Sequence, residues 1–160
     1  MSVICDGRVI IVTGAGGGLG REYALAFGAA GAKVVVNDIN AQAAADTVAD
    51  IQNAGGEALA NTQDITNYEQ SGLIVRTAID HFGDLHVVIN NAGICRDRMF
   101  ASMTESEWDQ VISVHLKGHF CISSHAVHYW RDQFKQGLSA RKTGAMTVNT
   151  SCSLVNTLAS

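Results

Sequence analysis

The chain has 160 residues, of which 47% are hydrophobic and 16% charged, with a formal net charge of −4. That length fits one domain with a sizeable core, and the composition excludes a disordered chain. No basic cluster offers a surface for nucleic acid, and no apolar run reaches the roughly 20 residues of a spanning helix, so no membrane partner is expected.

The start, Met1-Ser2-Val3-Ile4-Cys5-Asp6, lacks the basic end and long apolar stretch of a signal peptide. Cys5, Cys95, Cys121 and Cys152 stand far apart with no C-x-x-C pair. They read as reduced thiols of a cytoplasmic protein.

Apolar runs alternate with helical patterns along the chain, which predicts an α/β fold around a parallel sheet. A first strand is expected at Arg8–Thr13, with Val9-Ile10-Ile11-Val12 buried on both faces. Helix Arg21–Ala30 follows and stops at Gly31. The next elements are strand Lys33–Asn37, helix Ala41–Ala54 closed by Gly55-Gly56, and a weaker strand Glu57–Gln63. Helix Asn67–Phe82 ends at Gly83 and leads to the strongly apolar strand His86–Asn90.

Asn91–Met103 reads as a loop. Thr104 with Glu107 forms a capping box, and the helical pattern then runs to about Phe134 with a break near His115. A polar loop, Gln136–Thr143, precedes the last strand, Ala145–Thr150, and the tail Ser151–Ser160 has no clear pattern. The whole is one domain without repeats.

Thr13-Gly14-Ala15-Gly16-Gly17-Gly18-Leu19-Gly20 joins the first strand to the first helix. A pyrophosphate needs close backbone approach and free N–H groups at a helix N-terminus, and glycines at 14, 18 and 20 permit both. The strand–turn–helix context gives this glycine motif its specificity. Asp38 closes the second strand, where a carboxylate can accept hydrogen bonds from the adenosine ribose and repel a 2′-phosphate. With Gly17 uncharged, the loop offers no cation for that phosphate, so NAD is expected over NADP. The alternative for Asp38 is a surface carboxylate capping the next turn.

Asn90-Asn91-Ala92-Gly93 follows the fourth strand and Asp64-Ile65 the third. Together with Thr-Gly-x-x-x-Gly-x-Gly, these three motifs resemble the short-chain dehydrogenase/reductase family from about Gly7 to Thr150. The resemblance implies a doubly wound Rossmann-type sheet of about five strands in the order 3-2-1-4-5. It implies that Thr13, Gly14, Gly16, Gly18, Leu19 and Gly20 hold the pyrophosphate. Asp64 and Ile65 would then hold the adenine ring, while Asn90, Ala92 and Gly93 line the cofactor. The activity implied is hydride transfer between NAD and a small secondary alcohol or ketone, in a homo-oligomeric assembly.

The stretch Trp108–Phe120 matches the family helix that carries a catalytic Asn, but His115 stands at that position. Val114-His115-Leu116-Lys117-Gly118 and Ile94–Phe100 are similar to the subgroup containing the (3R)-hydroxyacyl-CoA dehydrogenase part of a peroxisomal multifunctional enzyme. That makes a 3-hydroxyacyl-CoA a candidate substrate and the peroxisome an alternative location, although no signal for it is seen. His115 and His119 are four apart, and His125 and His128 three apart, but no carboxylate stands at ligand spacing and no metal is expected. His115 is expected to face the active site and the other histidines to sit on helix surfaces.

Hydride transfer from an alcohol also needs a general acid/base on the oxygen. The family's pair is Tyr-x-x-x-Lys, with a Ser to orient the substrate. No Tyr-x-x-x-Lys occurs here: the residues four after Tyr23, Tyr68 and Tyr129 are Phe27, Gly72 and Gln133. Ser151 and Ser153 flank Cys152, which falls in the serine's slot in one register, and an ordinary serine-rich turn is the other reading. The resemblance therefore implies a C-terminally incomplete fold that binds NAD without turnover. Alternatively, the chain is a regulatory or dominant-negative binder. An edge strand at Ala145–Thr150 predicts association or aggregation.

Overall fold

A computed structural model describes residues 5–137 and 146–149. Five parallel strands form one sheet, β1 (Val9–Thr13), β2 (Lys33–Asn37), β3 (Glu57–Asn61), β4 (Val87–Asn90) and β5 (Met146–Asn149). Their order is β3-β2-β1-β4-β5, as expected. The helices are α1 (Gly18–Ala29), α2 (Ala41–Asn53), α3 (Tyr68–Phe82), α4 (Glu105–Ile112) and α5 (His119–Lys135). Ser151, Cys152 and Ser153, the tail to Ser160 and most of the polar loop before β5 lie outside the described residues.

The side chains of β1 alternate between two cores, because successive residues of a strand point to opposite faces. Val9 and Ile11 join Val35, Val88, Ile74, Ala78, Ile122 and Ala126 under α3 and α5. Ile10 and Val12 join Val34, Val36, Ala24, Ala44 and Ile51 under α1 and α2. Both faces of the sheet are covered, which is why the central strands read as unbroken apolar runs.

Two boundaries move by more than one residue from the expected ones, each for a local reason, and the expected break near His115 is present. Helix α1 begins at Gly18 rather than Arg21, so the glycine run supplies its first turn. N–H groups in a first turn have no intrahelical acceptor, so little helical bonding is asked of glycines there. Strand β3 stops at Asn61 because Asn61 Oδ1 accepts the Gln63 amide at 3.0 Å and turns the chain. The break near His115 is a π-helical turn, Ser113–Gly118, between α4 and α5. Gly31, Gly55 and Gly83 take the left-handed conformation just past the helix ends.

Candidate cofactor-binding site

The strand order reverses between β1 and β4, and the carboxyl ends of these strands open a crevice where ligands bind in open α/β sheets. The glycine loop, Asp38 and the Asn90–Gly93 segment all meet there. Gly14 has φ of +62° and packs so tightly that a Cβ would lie 2.8 Å from the Cα of Ala92. A Cβ on Gly20 would lie 2.2 Å from the Gly14 carbonyl oxygen and 2.3 Å from Asn91 Nδ2. By contrast, a Cβ on Gly17 or Gly18 would meet nothing within 4 Å. Gly17 is the N-cap of α1 and has no side chain to cap its amides. The N-terminus of α1 thus carries no side-chain cap and is open at Gly17 and Gly18, as an anion site at a helix N-terminus requires.

Asp38 uses both carboxylate oxygens. Oδ2 accepts the Gly16 amide at 2.9 Å, and Oδ1 accepts the Asn40 amide at 2.9 Å. The turn-capping reading of Asp38 and its place beside the phosphate loop therefore hold together. Each oxygen keeps a lone pair for a ribose hydroxyl. A Cβ on Gly16 would come 2.8 Å from Oδ2, so the close approach depends on that glycine. Arg21, the basic side chain nearest the loop in sequence, is paired with Asp50 at 2.5 Å and Glu22 at 3.1 Å. Its pKa is raised, chiefly by the hydrogen bond to Asp50.

Thr13 is fully buried, and its hydroxyl works inside the protein. It donates to the Ile89 carbonyl at 3.2 Å and accepts the amides of Asn91 and Ala92, each at 3.1 Å. Asn91, which the sequence reading passed over, donates through Nδ2 to the carbonyls of Thr13 and Gly14. Asn90 is buried and donates to Ser123 Oγ at 3.1 Å, which ties the end of β4 to α5. Leu19 is exposed at the start of α1.

Asp64 Oδ1 accepts the Thr66 amide and hydroxyl, which closes the turn into α3 and leaves the carboxylate partly exposed. Ile65 is buried in the core against Gly118, where a Cβ would lie 2.7 Å from its Cδ1.

His115 lies on the π-helical turn with Nε2 at 2.8 Å from the Ile94 carbonyl oxygen and 3.0 Å from its amide nitrogen. His119 departs from the surface placement expected of it. It is 8% exposed and bonds the Ala92 carbonyl through Nε2 at 3.2 Å. Burial holds its pKa below the ordinary histidine value, and nearby His115 adds to the effect, although the bond to Ala92 opposes it. The signal was present in the four-residue spacing to His115, but the turn between the two gave no pattern to place it. Among the described residues no group of three metal-binding side chains converges, and no helix is long and apolar enough to cross a membrane.

A parallel doubly wound sheet with a glycine loop at the β1–α1 turn and an Asn-rich segment after β4 defines a Rossmann-type fold. The chain belongs to the short-chain dehydrogenase family, whose profile matches residues 8–151. It is 45% identical over 137 residues to peroxisomal multifunctional enzyme type 2 of Mus musculus, covering 80% of this chain and 18% of that protein. It is 44% identical over 151 residues to hydroxyacyl-CoA dehydrogenase ChsB1 of Mycobacterium tuberculosis, covering 91% of this chain and 47% of that one. The crystal structure of a short chain dehydrogenase from Mycobacterium avium superposes with a TM-score of 0.87 at 48% identity, over 92% of this chain and 54% of that one. A 7α-hydroxysteroid dehydrogenase complexed with NADH and 7-oxo glycochenodeoxycholic acid superposes with a TM-score of 0.73 at 36% identity, over 78% and 48%. The chain thus spans about half the length of these relatives or less.

Proposed function

We propose that the chain is the NAD-binding portion of a dehydrogenase that moves hydride between NAD and a secondary alcohol or ketone, with a 3-hydroxyacyl-CoA as the substrate class. One observation carries the cofactor reading. The bare N-terminus of α1 lies beside Asp38, whose carboxylate the loop itself orients through Gly16. The residues fit the group: Gly17, Gly18 and Leu19 would offer amides to the pyrophosphate, Asp38 would take the adenosine ribose, and Asp64 with Ile65 the adenine. Thr13, Asn90 and Asn91 hold the walls in place, and Ala92 and Gly93 line the cleft. Asp38 and the ion-paired Arg21 both favour NAD over NADP, since a 2′-phosphate would meet a carboxylate while the nearest basic side chain in sequence is already held by Asp50 and Glu22.

When bound, NAD supplies a hydride acceptor for the alcohol carbon. The substrate class is supported by the likeness to a hydroxyacyl-CoA dehydrogenase and by the Val114–Gly118 stretch. His115 stands where the family has an Asn and holds Ile94 in the loop beside the cleft. Ser151 and Ser153 remain the proposed substrate-orienting pair. A proton acceptor of the Tyr-x-x-x-Lys kind is absent from the 160 residues. The expected behaviour is therefore binding without turnover, which also favours a second reading, a non-catalytic NAD-binding partner of a longer enzyme.

Titration of the purified chain with NADH, followed by nicotinamide fluorescence, tests the cofactor. Saturable binding is expected, and none at millimolar NADH would overturn it. Incubation with NAD and secondary alcohols, 3-hydroxyacyl-CoA included, tests the chemistry. NADH formation at enzymatic rates would show that an acid/base pair outside the family pattern serves. The same reading has the chain self-associate. Helix α5 exposes Phe120, Val127 and Phe134, and large exposed apolar surface is uncommon on monomers. A sizing column should show an assembly or aggregate, and a sharp monomer peak would refute this.

A further inference from the structure

Ala92 is the point at which the phosphate loop and helix α5 meet. On one side its amide donates to Thr13 Oγ1 at 3.1 Å, and its Cα packs against Gly14. On the other, its carbonyl oxygen lies 3.2 Å from His119 Nε2. A carbonyl can only accept, so Nε2 of His119 carries the hydrogen. His119 is the first residue of α5, directly after the π-helical turn. His115 lies on that turn with its ring centre 6.3 Å away, and it takes Ile94 as His119 takes Ala92. Gly93 lies between them, so close that a Cβ there would come 2.6 Å from His115 Cε1. Two imidazoles therefore grip the two residues on either side of Gly93.

We propose that His119 is a positioning residue of the cofactor site. Its Nε2–H fixes the Ala92 carbonyl and so holds the Ala92–Ile94 segment against Gly14 in the shape a bound dinucleotide requires. This rests on the NAD reading above. Packing alone is a poor account of the residue. A buried imidazole must give up water at two nitrogens, and a leucine would fill similar space without that loss. Burial also favours the neutral ring, the form in which Nε2–H can donate without placing a charge beside His115.

The comparison of His119→Leu with His119→Gln tests the assignment in the full chain. Gln places an amide donor near the position of Nε2, whereas Leu keeps the bulk and loses the bond. Three readouts are needed: NADH affinity by fluorescence, amide hydrogen exchange of residues 91–98 without cofactor, and the urea midpoint. His119→Leu should weaken NADH binding by about tenfold, the worth of one buried hydrogen bond, and speed exchange around Gly93. His119→Gln should restore both. Parent-like binding and exchange in His119→Leu would overturn the proposal, as would His119→Gln failing as badly as Leu. If His119→Leu does not fold, His119→Asn replaces it, since its amide is one methylene too short to reach Ala92. A parent chain that binds no NADH would sink the cofactor reading alone. Loop exchange then still decides whether His119 holds the segment, and unchanged exchange would overturn that too.

Discussion

A single hydroxyl, that of Thr13, holds the site's two walls together. It bonds one carbonyl and two amides across more than 75 residues of sequence. Thr13→Val keeps the shape but takes the acceptor from the Ala92 amide, while the Asn91 amide and the Ile89 carbonyl still bond each other at 3.1 Å. A buried backbone group left unsatisfied costs about 1–3 kcal/mol. Thr13→Val should therefore lower stability by about 1–3 kcal/mol. Urea unfolding checks this, and a loss below about 0.5 kcal/mol would place the strength of the junction elsewhere. Asp38 is the matching test of specificity. Asp38→Ala removes both the ribose acceptor and the repulsion of a 2′-phosphate, so the ratio of NADH to NADPH affinity should fall by about tenfold or more. An unchanged ratio would remove the ribose role from Asp38.

Among the elements, α4 shows how far local chemistry reaches. Its eight residues start at a reciprocal cap in which Thr104 accepts the Glu107 amide and Glu107 accepts back from Thr104. Those bonds hold the Glu107 carboxyl below its ordinary pKa, with Arg98 adding to the effect at 2.7 Å. Thr104→Ala should cost about 1 kcal/mol, read as a lower urea midpoint, and no shift would mean that the cap is redundant with packing. This box was legible from the Thr-x-x-Glu spacing alone. The apolar strands and the glycine stops at Gly31, Gly55 and Gly83 were legible for the same reason, since each is set by neighbours in sequence. Other features were not. The helical first turn at Gly18–Gly20 defies glycine's low propensity, because the end of β1 fixes where α1 begins. Asn91 and His119 act through partners 27 to 78 residues away, beyond the reach of any local pattern. The motif position of Thr13 implies a place beside the pyrophosphate, and only the fold reveals that its hydroxyl faces inward.

At the scale of the whole molecule, two buried histidines tie stability to pH. His86 accepts the Val9 amide through Nδ1 at 2.9 Å and so anchors the start of β1. Protonation would put a hydrogen on that nitrogen and break the bond. Burial holds the His86 pKa below the ordinary value and Arg8 pushes the same way, while Asp84, 3.5 Å from Nε2, opposes both. His119 is lowered in the same direction by burial. For a histidine lowered in the fold, both states are neutral above the unfolded value of about 6.5, so stability is flat there. As pH falls below it, the unfolded chain binds protons that the folded chain refuses, and stability drops. The drop cannot exceed about 1.4 kcal/mol per pH unit for each histidine. The window from about pH 6.5 to 5 lies above the ordinary carboxylate range, so acidic groups add little to it. His86→Asn supplies an acceptor near the position of Nδ1 that does not titrate. Urea midpoints at pH 7.5 and 5.2 should differ clearly in the parent, and by less in His86→Asn. An equal difference in the two proteins would show that the acid response does not pass through the β1 anchor.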